Sequence, residues 1–339
     1  MRRRGYCDQM SSANRSYMRV PLSVLASNFP SRFLLNATIQ PRTLQLYTTA
    51  TASYIRWYQI QPGAFSSVNH VDKSLCDYIT LLFLSDVSMS YAHQTVFGLI
   101  HFVPELGGEL HRTRRALKGW KKKHKTRSHP PLSWELVCML AVQMSAVGWY
   151  EEALATLVSY DGYFRTGSEL LQLKVRDFHH IVVRHDMSNN NYICRLRHTK
   201  TGRNKLVTLT MPSIGAALLS FIRVRDLSPS DRVFNFSATR YRHRFRLSCE
   251  MLGWQAVRFV PHSLRHGHAS DDFIEGVPIE TIMVRGRWKS IESTRHYIQS
   301  GRVHLIRGQL PTDLPILPDY TPRRVLELLQ HTYLHSLSQ

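Results

Sequence analysis

The chain has 339 residues, and 44 Lys and Arg against 24 Asp and Glu give it a formal charge of +20. That excess is larger than solubility requires and makes a polyanionic partner the simplest physical account, although a basic ribosomal or membrane-surface protein would share it. The five cysteines (Cys7, Cys76, Cys138, Cys194 and Cys249) form no CxxC pair, which argues against a zinc knuckle or a disulfide framework. No apolar run approaches the roughly 18 residues of a spanning helix, so no membrane partner is expected.

The length is that of two domains. Residues 1–40 mix Ser, Asn, Arg and Pro, with Asp8 the one acid before Asp72, and read as a flexible basic arm. An organellar transit peptide would share that composition. Residues 41–110 carry apolar side chains at helical spacing: Leu44, Tyr47, Tyr54, Trp57 and Tyr58, then Leu75, Tyr78, Ile79 and Leu82, then Ala92, Val96, Phe97, Leu99 and Ile100. This predicts a small helical bundle, with Asp72 and Ser88 as N-caps of the second and third helices.

Residues 111–131 read HRTRRALKGWKKKHKTRSHPP. Nine cations (Arg112, Arg114, Arg115, Lys118, Lys121, Lys122, Lys123, Lys125 and Arg127) occur here with no acid. The expectation is a basic linker whose cations lie on phosphates, each one displacing a condensed counterion. A nuclear localisation signal or a solvated linker would look the same.

Pro130 and Pro131 mark the joint to a second domain, residues 132–310. Ser133 reads as the N-cap of a helix carrying Leu136, Leu140 and Met144, and a further helix covers 150–160. Residues 179–184, 192–197 and 205–210 are strand-like in their apolar and β-branched content, with turns at 189–191 and 201–204. Helices follow at 212–225 and 238–252, the second bearing Arg240, Arg242, Arg244 and Arg246 on two faces. In the last segment, 311–339, a helix over 321–337 holds Val325, Leu326, Leu328, Leu329, Tyr333 and Leu334, too apolar to stay in water. It must pack on its own domain or on a neighbour's, and is a candidate contact between protomers. The fold class is mainly α with a small antiparallel β-sheet (α+β).

Residues 262–297 read HSLRHGHASDDFIEGVPIETIMVRGRWKSIESTRHY. A helix over 262–275 would bring His262 and Arg265 to one side, because residues three apart are neighbours on a helix. Gly276 suits a left-handed cap. Short helices near 278–284 and 291–298 would return Trp288 and Tyr297 toward that pair. A zinc site from His262, His266 and His268 is opposed by the charge of Arg265 and by the lack of an acidic base between the ligands.

The window resembles the catalytic signature of tyrosine recombinases of the phage-integrase type, in which a His-x-x-Arg pair is followed by His or Trp and, nine residues later, by a nucleophilic tyrosine. The stretch DGYFRTGSELLQLKVRDF resembles that family's first arginine box and makes Arg165 the first catalytic arginine. It departs from the pattern, since Glu169 stands four residues after Arg165 rather than three. The Thr-Lys-Thr-Gly turn matches the family's mobile hairpin lysine at Lys200, with Lys205 a rival.

The resemblance implies a helical core-binding (SAM-like) DNA-binding domain joined to a catalytic domain, with Arg165, Lys200, His262, Arg265, Trp288 and Tyr297 as its catalytic residues. It implies cutting and rejoining of double-stranded DNA through a 3'-phosphotyrosyl intermediate, without metal, ATP or other cofactor, in a homo-tetramer on paired sites. The compartment would be the nucleus in a eukaryote and otherwise the cytoplasm or nucleoid. Two other classes stay open: a catalytically silent, domesticated DNA-binding protein, and a type IB topoisomerase that relaxes supercoils by the same chemistry.

Overall fold

The computed structural model describes residues 32–60, 67–123, 128–183, 186–199, 202–311 and 320–337. Most of the expected arm, together with Lys125, Arg127 and Lys200, lies outside them. The chain divides into two compact units, Met1–Arg127 and Ser128–Gln339.

The first unit is helical: α1 (Arg32–Ala37), α2 (Pro41–Gln59), α3 (Val68–Leu84), α4 (Met89–Phe102) and α5 (His111–Lys123). Its core is Tyr54, Leu75, Tyr78, Ile79, Leu82, Val96 and Leu99, joined by Leu117 and Trp120 of α5. The linker reading of 111–123 is therefore corrected. At helical spacing Thr113, Leu117 and Trp120 form a buried stripe, and the cations fill the rest of the circumference.

Asp72 also has a different job from the one expected. Ser67 caps α3, accepting from the His70 backbone N–H at 3.2 Å, and Asp72 lies one turn inside that helix. Its carboxylate reaches across to accept from the N–H groups of Arg112 and Thr113 at 2.8 and 3.0 Å, so it caps α5. Ser88 caps α4 as expected, accepting from Tyr91 N–H at 3.3 Å.

The second unit is built on α6 (Trp134–Ala146) and α7 (Tyr150–Asp161). Every residue of α7 from Glu152 onward is buried, so the helix runs through the middle of the unit. Ser133 stands at the N-cap of α6, but its hydroxyl has no partner among the described residues. Asp271 instead accepts from Trp134 N–H at 2.7 Å.

Strands β1 (Phe178–Val183), β2 (Asp186–Thr199) and β3 (Gly202–Leu209) form one antiparallel sheet in that order. The turn expected at 189–191 is strand: Asn190 and Asn191 pair with Val182 and Ile181. After Arg165 the chain passes through two 3-10 turns, Leu170–Gln172 and Val175–Asp177.

Then come α8 (Pro212–Val224), α9 (Ala238–Met251), α10 (Ser263–Ile274), α11 (Ile279–Gly286), α12 (Ile291–Tyr297), α13 (Ser300–Arg307) and α14 (Pro322–Leu337). On α9 three of the four arginines are ion-paired: Arg240 and Arg244 share buried Glu152, and Arg246 pairs with Glu250. The terminal helix lies in the core of its own unit, with Val325 and Leu329 fully buried. Of the two homes open to that apolar face, the single chain shows the first.

Candidate active site

Helix α10 supplies the centre of the site. Gly267 lets it approach the segment leading into α6, since a Cβ there would collide with the Leu132 carbonyl oxygen. The helix is buried from Ser263 to Ser270, and His262 stands at its N-terminal edge. Arg265, one turn in, is completely buried.

Arg265 donates from Nη1 to the Tyr163 carbonyl and from Nη2 to the Gly286 carbonyl at 2.8 Å. Tyr163 has φ +51°, a left-handed turn that aims its carbonyl at the guanidinium. Burial, and then the neighbouring Arg165 and Arg287, pull the Arg265 pKa down from its ordinary value.

Tyr297 is the last residue of α12, which Ser290 caps by accepting from Ser293 N–H at 3.1 Å. Its ring lies between Trp288, with centroids 4.4 Å apart, and His266, with centroids 4.6 Å apart. His262 meets it edge-on at 5.6 Å, and the Arg265 guanidinium carbon is 5.7 Å from the ring centre. Trp288 folds back over Gly286, where any Cβ would run into the indole. His262, Arg265, Trp288 and Tyr297 are thus brought together.

Arg165 joins them through Glu169. The carboxylate, almost wholly buried, accepts from the Arg165 backbone N–H at 2.9 Å and pairs with its guanidinium. It also pairs with Arg287 at 2.8 Å and lies 3.9 Å from Arg265. Burial opposes ionisation of Glu169, but Arg287, the Arg165 N–H and the other two guanidinium groups outweigh it and hold the pKa low. The four-residue spacing that departed from the family pattern is accommodated by the turn: Glu169 reaches back over one turn to Arg165.

Both histidines beside Tyr297 are kept neutral. Burial, then Arg265, His129 and Arg165, lower the His262 pKa to about 4. Burial and then His262 lower that of His266 to about 3. Gln299 donates from Nε2 to His266 Nδ1 at 2.8 Å, while its backbone N–H donates to Ser270 Oγ at 2.8 Å.

His268 belongs to another network. It is stacked between Tyr160 and Tyr163 at 4.4 and 4.3 Å, with Nδ1 donating to the Tyr160 carbonyl at 2.7 Å. The three-histidine arrangement weighed from sequence is therefore not assembled, and among the described residues no group of His, Cys, Asp and Glu could hold a metal ion.

Three buried N–H groups in the cluster lack an acceptor among the described residues: Nε of Arg265, Nε of Arg287 and Nε1 of Trp288. Unpaired buried donors are costly, and in a site they suit an incoming anion. Sequence reading missed three contributors. Arg287 gave no signal beyond its place beside Trp288; His266 stood in view as the neighbour of Arg265; Gln299 followed Tyr297 by two. The cations of α5, Arg112, Arg114, Arg115, Lys118, Lys121, Lys122 and Lys123, are exposed and belong to the other unit.

A mainly helical unit with a three-stranded sheet, gathering arginines, a histidine, a tryptophan and a tyrosine, has the architecture of a tyrosine-recombinase catalytic domain. Residues 143–303 match the family described as the phage integrase family, so the chain carries a tyrosine-recombinase domain. No curated protein shows a significant match to it.

Among solved structures it resembles the Tn1549 transposon integrase in complex with circular intermediate DNA, at 13% identity and a TM-score of 0.58 over 84% of this chain and 98% of that one. A lambda integrase dimer bound to a COC' core site is 14% identical, with a TM-score of 0.55 over 84% and 96%. The XerH recombinase bound to a palindromic difH substrate is 14% identical, with a TM-score of 0.54 over 79% and 78%. These likenesses establish the shared fold. No helix of the described residues is long and apolar enough to cross a membrane.

Proposed function

We propose that the protein is a site-specific DNA recombinase or integrase that cuts and rejoins strands through a 3'-phosphotyrosyl intermediate, using neither metal nor ATP. The observation that carries this reading is the seating of Tyr297 between Trp288 and His266 and beside Arg265, with Trp288 Nε1 and Arg265 Nε as unsatisfied N–H donors.

Tyr297 Oη attacks the scissile phosphorus. A bond forms between that oxygen and phosphorus, the bond to the 5'-oxygen breaks, and the phosphoester energy is kept in the new link. Neutral His262 assists proton transfer from the phenol or donates a hydrogen bond to a phosphate oxygen, its lowered pKa making it a weak base in the absence of the phosphate. Arg165 and Arg265 neutralise the non-bridging oxygens, and their planar forks suit a trigonal-bipyramidal phosphorane better than lysine. Trp288 Nε1 is a further donor. Lys200, by resemblance alone, protonates the departing 5'-oxygen.

The 5'-hydroxyl of another strand reverses the step, which makes it an exchange. The exposed face of α5, with Lys125 and Arg127 beyond it, contacts the DNA backbone, and the active assembly is a tetramer on paired sites.

The test is trapping on a nicked duplex taken from DNA flanking the gene, comparing wild type with Tyr297→Phe on a denaturing gel. A covalent adduct that disappears in the variant supports the mechanism. Religation to a second duplex then separates a recombinase from a topoisomerase. DNA retention with no adduct on any flanking substrate overturns the reading in favour of a silent DNA-binding protein.

A further inference from the structure

Arg287 is a buried guanidinium of the site to which the proposed chemistry gives no part. Its backbone has φ +57°, a region that side chains other than glycine rarely adopt. Despite that, its side chain turns inward and is 5% exposed.

The terminal nitrogens are fully engaged. Nη1 donates to the carbonyls of Gly162 and Arg285, both at 3.1 Å, and Nη2 donates to the Tyr163 carbonyl at 2.7 Å and to Glu169 Oε2 at 2.8 Å. Two of those acceptors are shared with the reacting machinery. The Tyr163 carbonyl also holds Arg265, and Glu169 also holds Arg165. The residue after Arg287 is Trp288, whose ring covers Tyr297.

We infer that Arg287 is a positioning residue: by clamping Glu169 and the Tyr163 carbonyl it sets Arg165, Arg265 and Trp288 in register around the tyrosine. The inference rests on the strand-cleavage reading above. Arg287 acts through its partners, since its outer nitrogens are all spent on protein acceptors.

The physical consequence is specific. Glu169 is buried and Arg287 is its leading source of compensation. Without that guanidinium the carboxylate takes up a proton more readily, and a neutral Glu169 no longer fixes Arg165. The acid limit of the site then moves to higher pH than in the native cluster. A residue that merely filled space would not change the pH profile.

The experiment uses the full chain as wild type, Arg287→Gly and Arg287→Lys, on nicked duplexes tiled across the flanking DNA. Single-turnover adduct formation is followed against pH, with a gel shift on the same duplexes. Glycine is at ease at φ +57°, so the first variant removes the side chain without straining the turn.

The expected result is unchanged DNA retention, adduct formation slowed about 100-fold, as for small misplacements in a reacting cluster, and an acid limb moved to higher pH. Lysine should restore the acid limb but only part of the rate, because it cannot also hold the carbonyls. An Arg287→Gly protein with the wild-type rate and profile overturns the inference and leaves the strand-cleavage reading intact. Wild type giving no adduct on any duplex overturns both. If the glycine variant fails to fold, the lysine variant decides, and a wild-type rate and profile there overturns the inference.

Discussion

His266 lies face to face with Tyr297, ring centroids 4.6 Å apart and planes 24° from parallel. Its imidazole is held neutral there, because a charged one would sit poorly solvated beside His262, His296 and His129. The same pressure acts on His262, which also faces Arg165.

Stability should therefore depend on pH in a defined window. In the unfolded chain both histidines protonate near pH 6.5, and in the folded protein only near 4 and 3. Below about pH 6.5 the unfolded state binds more protons, so stability falls as pH falls, and is fully present above that value. Thermal melts from pH 7 down to pH 4 should show the midpoint dropping, and His266→Gln should flatten the slope. An unchanged slope in that variant would count against a neutral buried His266.

Trp288 offers a separation of packing from hydrogen bonding. Trp288→Phe keeps an aromatic ring against Tyr297 and removes the unpartnered Nε1–H. If that donor meets a phosphate oxygen in the transition state, cleavage should slow by about 100-fold to 1,000-fold with DNA retention intact. Trp288→Ala should also remove the packing of this half-buried ring and lower stability, by less than the roughly 3–5 kcal/mol of a fully buried one. Denaturant titration of the two variants beside adduct assays separates the effects. Equal cleavage by Trp288→Phe and wild type would remove the indole from the chemistry.

The parts of the site that were legible in sequence are those whose spacing lies within one local segment. His262 and Arg265 are one turn apart, and the nine residues from Trp288 to Tyr297 span a turn and the single short helix α12. Contributors that act across the fold left no such mark. Arg287 matters only because the Arg165 turn comes back beside it, and a basic residue next to a tryptophan says nothing of a buried carboxylate 118 positions earlier. Asp72 is the same lesson in the first unit: by residue type it reads as the cap of its own helix, whereas it caps one that begins some 40 residues later. The basic run of 111–123 hid a helix because its charge is visible residue by residue. Its buried stripe appears only at helical period, and only packing against α3 and α4 gives that stripe somewhere to go.

The two faces of α5 should respond differently to substitution. Lys118, Lys121 and Lys122 are exposed, so replacing all three with Gln should leave the melting midpoint nearly unchanged. If they lie on phosphates, the salt dependence of DNA binding should flatten by about 0.9 in log–log slope for each phosphate no longer neutralised. Leu117→Ala, on the buried face, should instead cost about 2–5 kcal/mol with the salt slope intact. Binding isotherms at several salt concentrations measure the first effect and denaturant unfolding the second. A slope unmoved by the triple substitution would take this face off the DNA.

The terminal helix gives the last prediction. Val325 and Leu329 are completely buried against the second unit, and Leu326 nearly so. The attachment is also polar: Ser145 Oγ donates to the Leu329 carbonyl, and Trp134 Nε1 donates to the Tyr320 carbonyl at 2.7 Å. Each such apolar side chain contributes about 1.5–3 kcal/mol when moved out of water, so three amount to a large share of a domain's marginal stability. Removing the helix would uncover α6, whose Ser145 is fully buried and whose Met144 is a core residue. A chain truncated before Pro322 should accordingly melt well below the full chain, or aggregate, even in the absence of DNA. Val325→Asp should do the same in miniature. A truncated protein with the parent's melting midpoint, altered only in its association on DNA, would restore the helix to a contact between protomers.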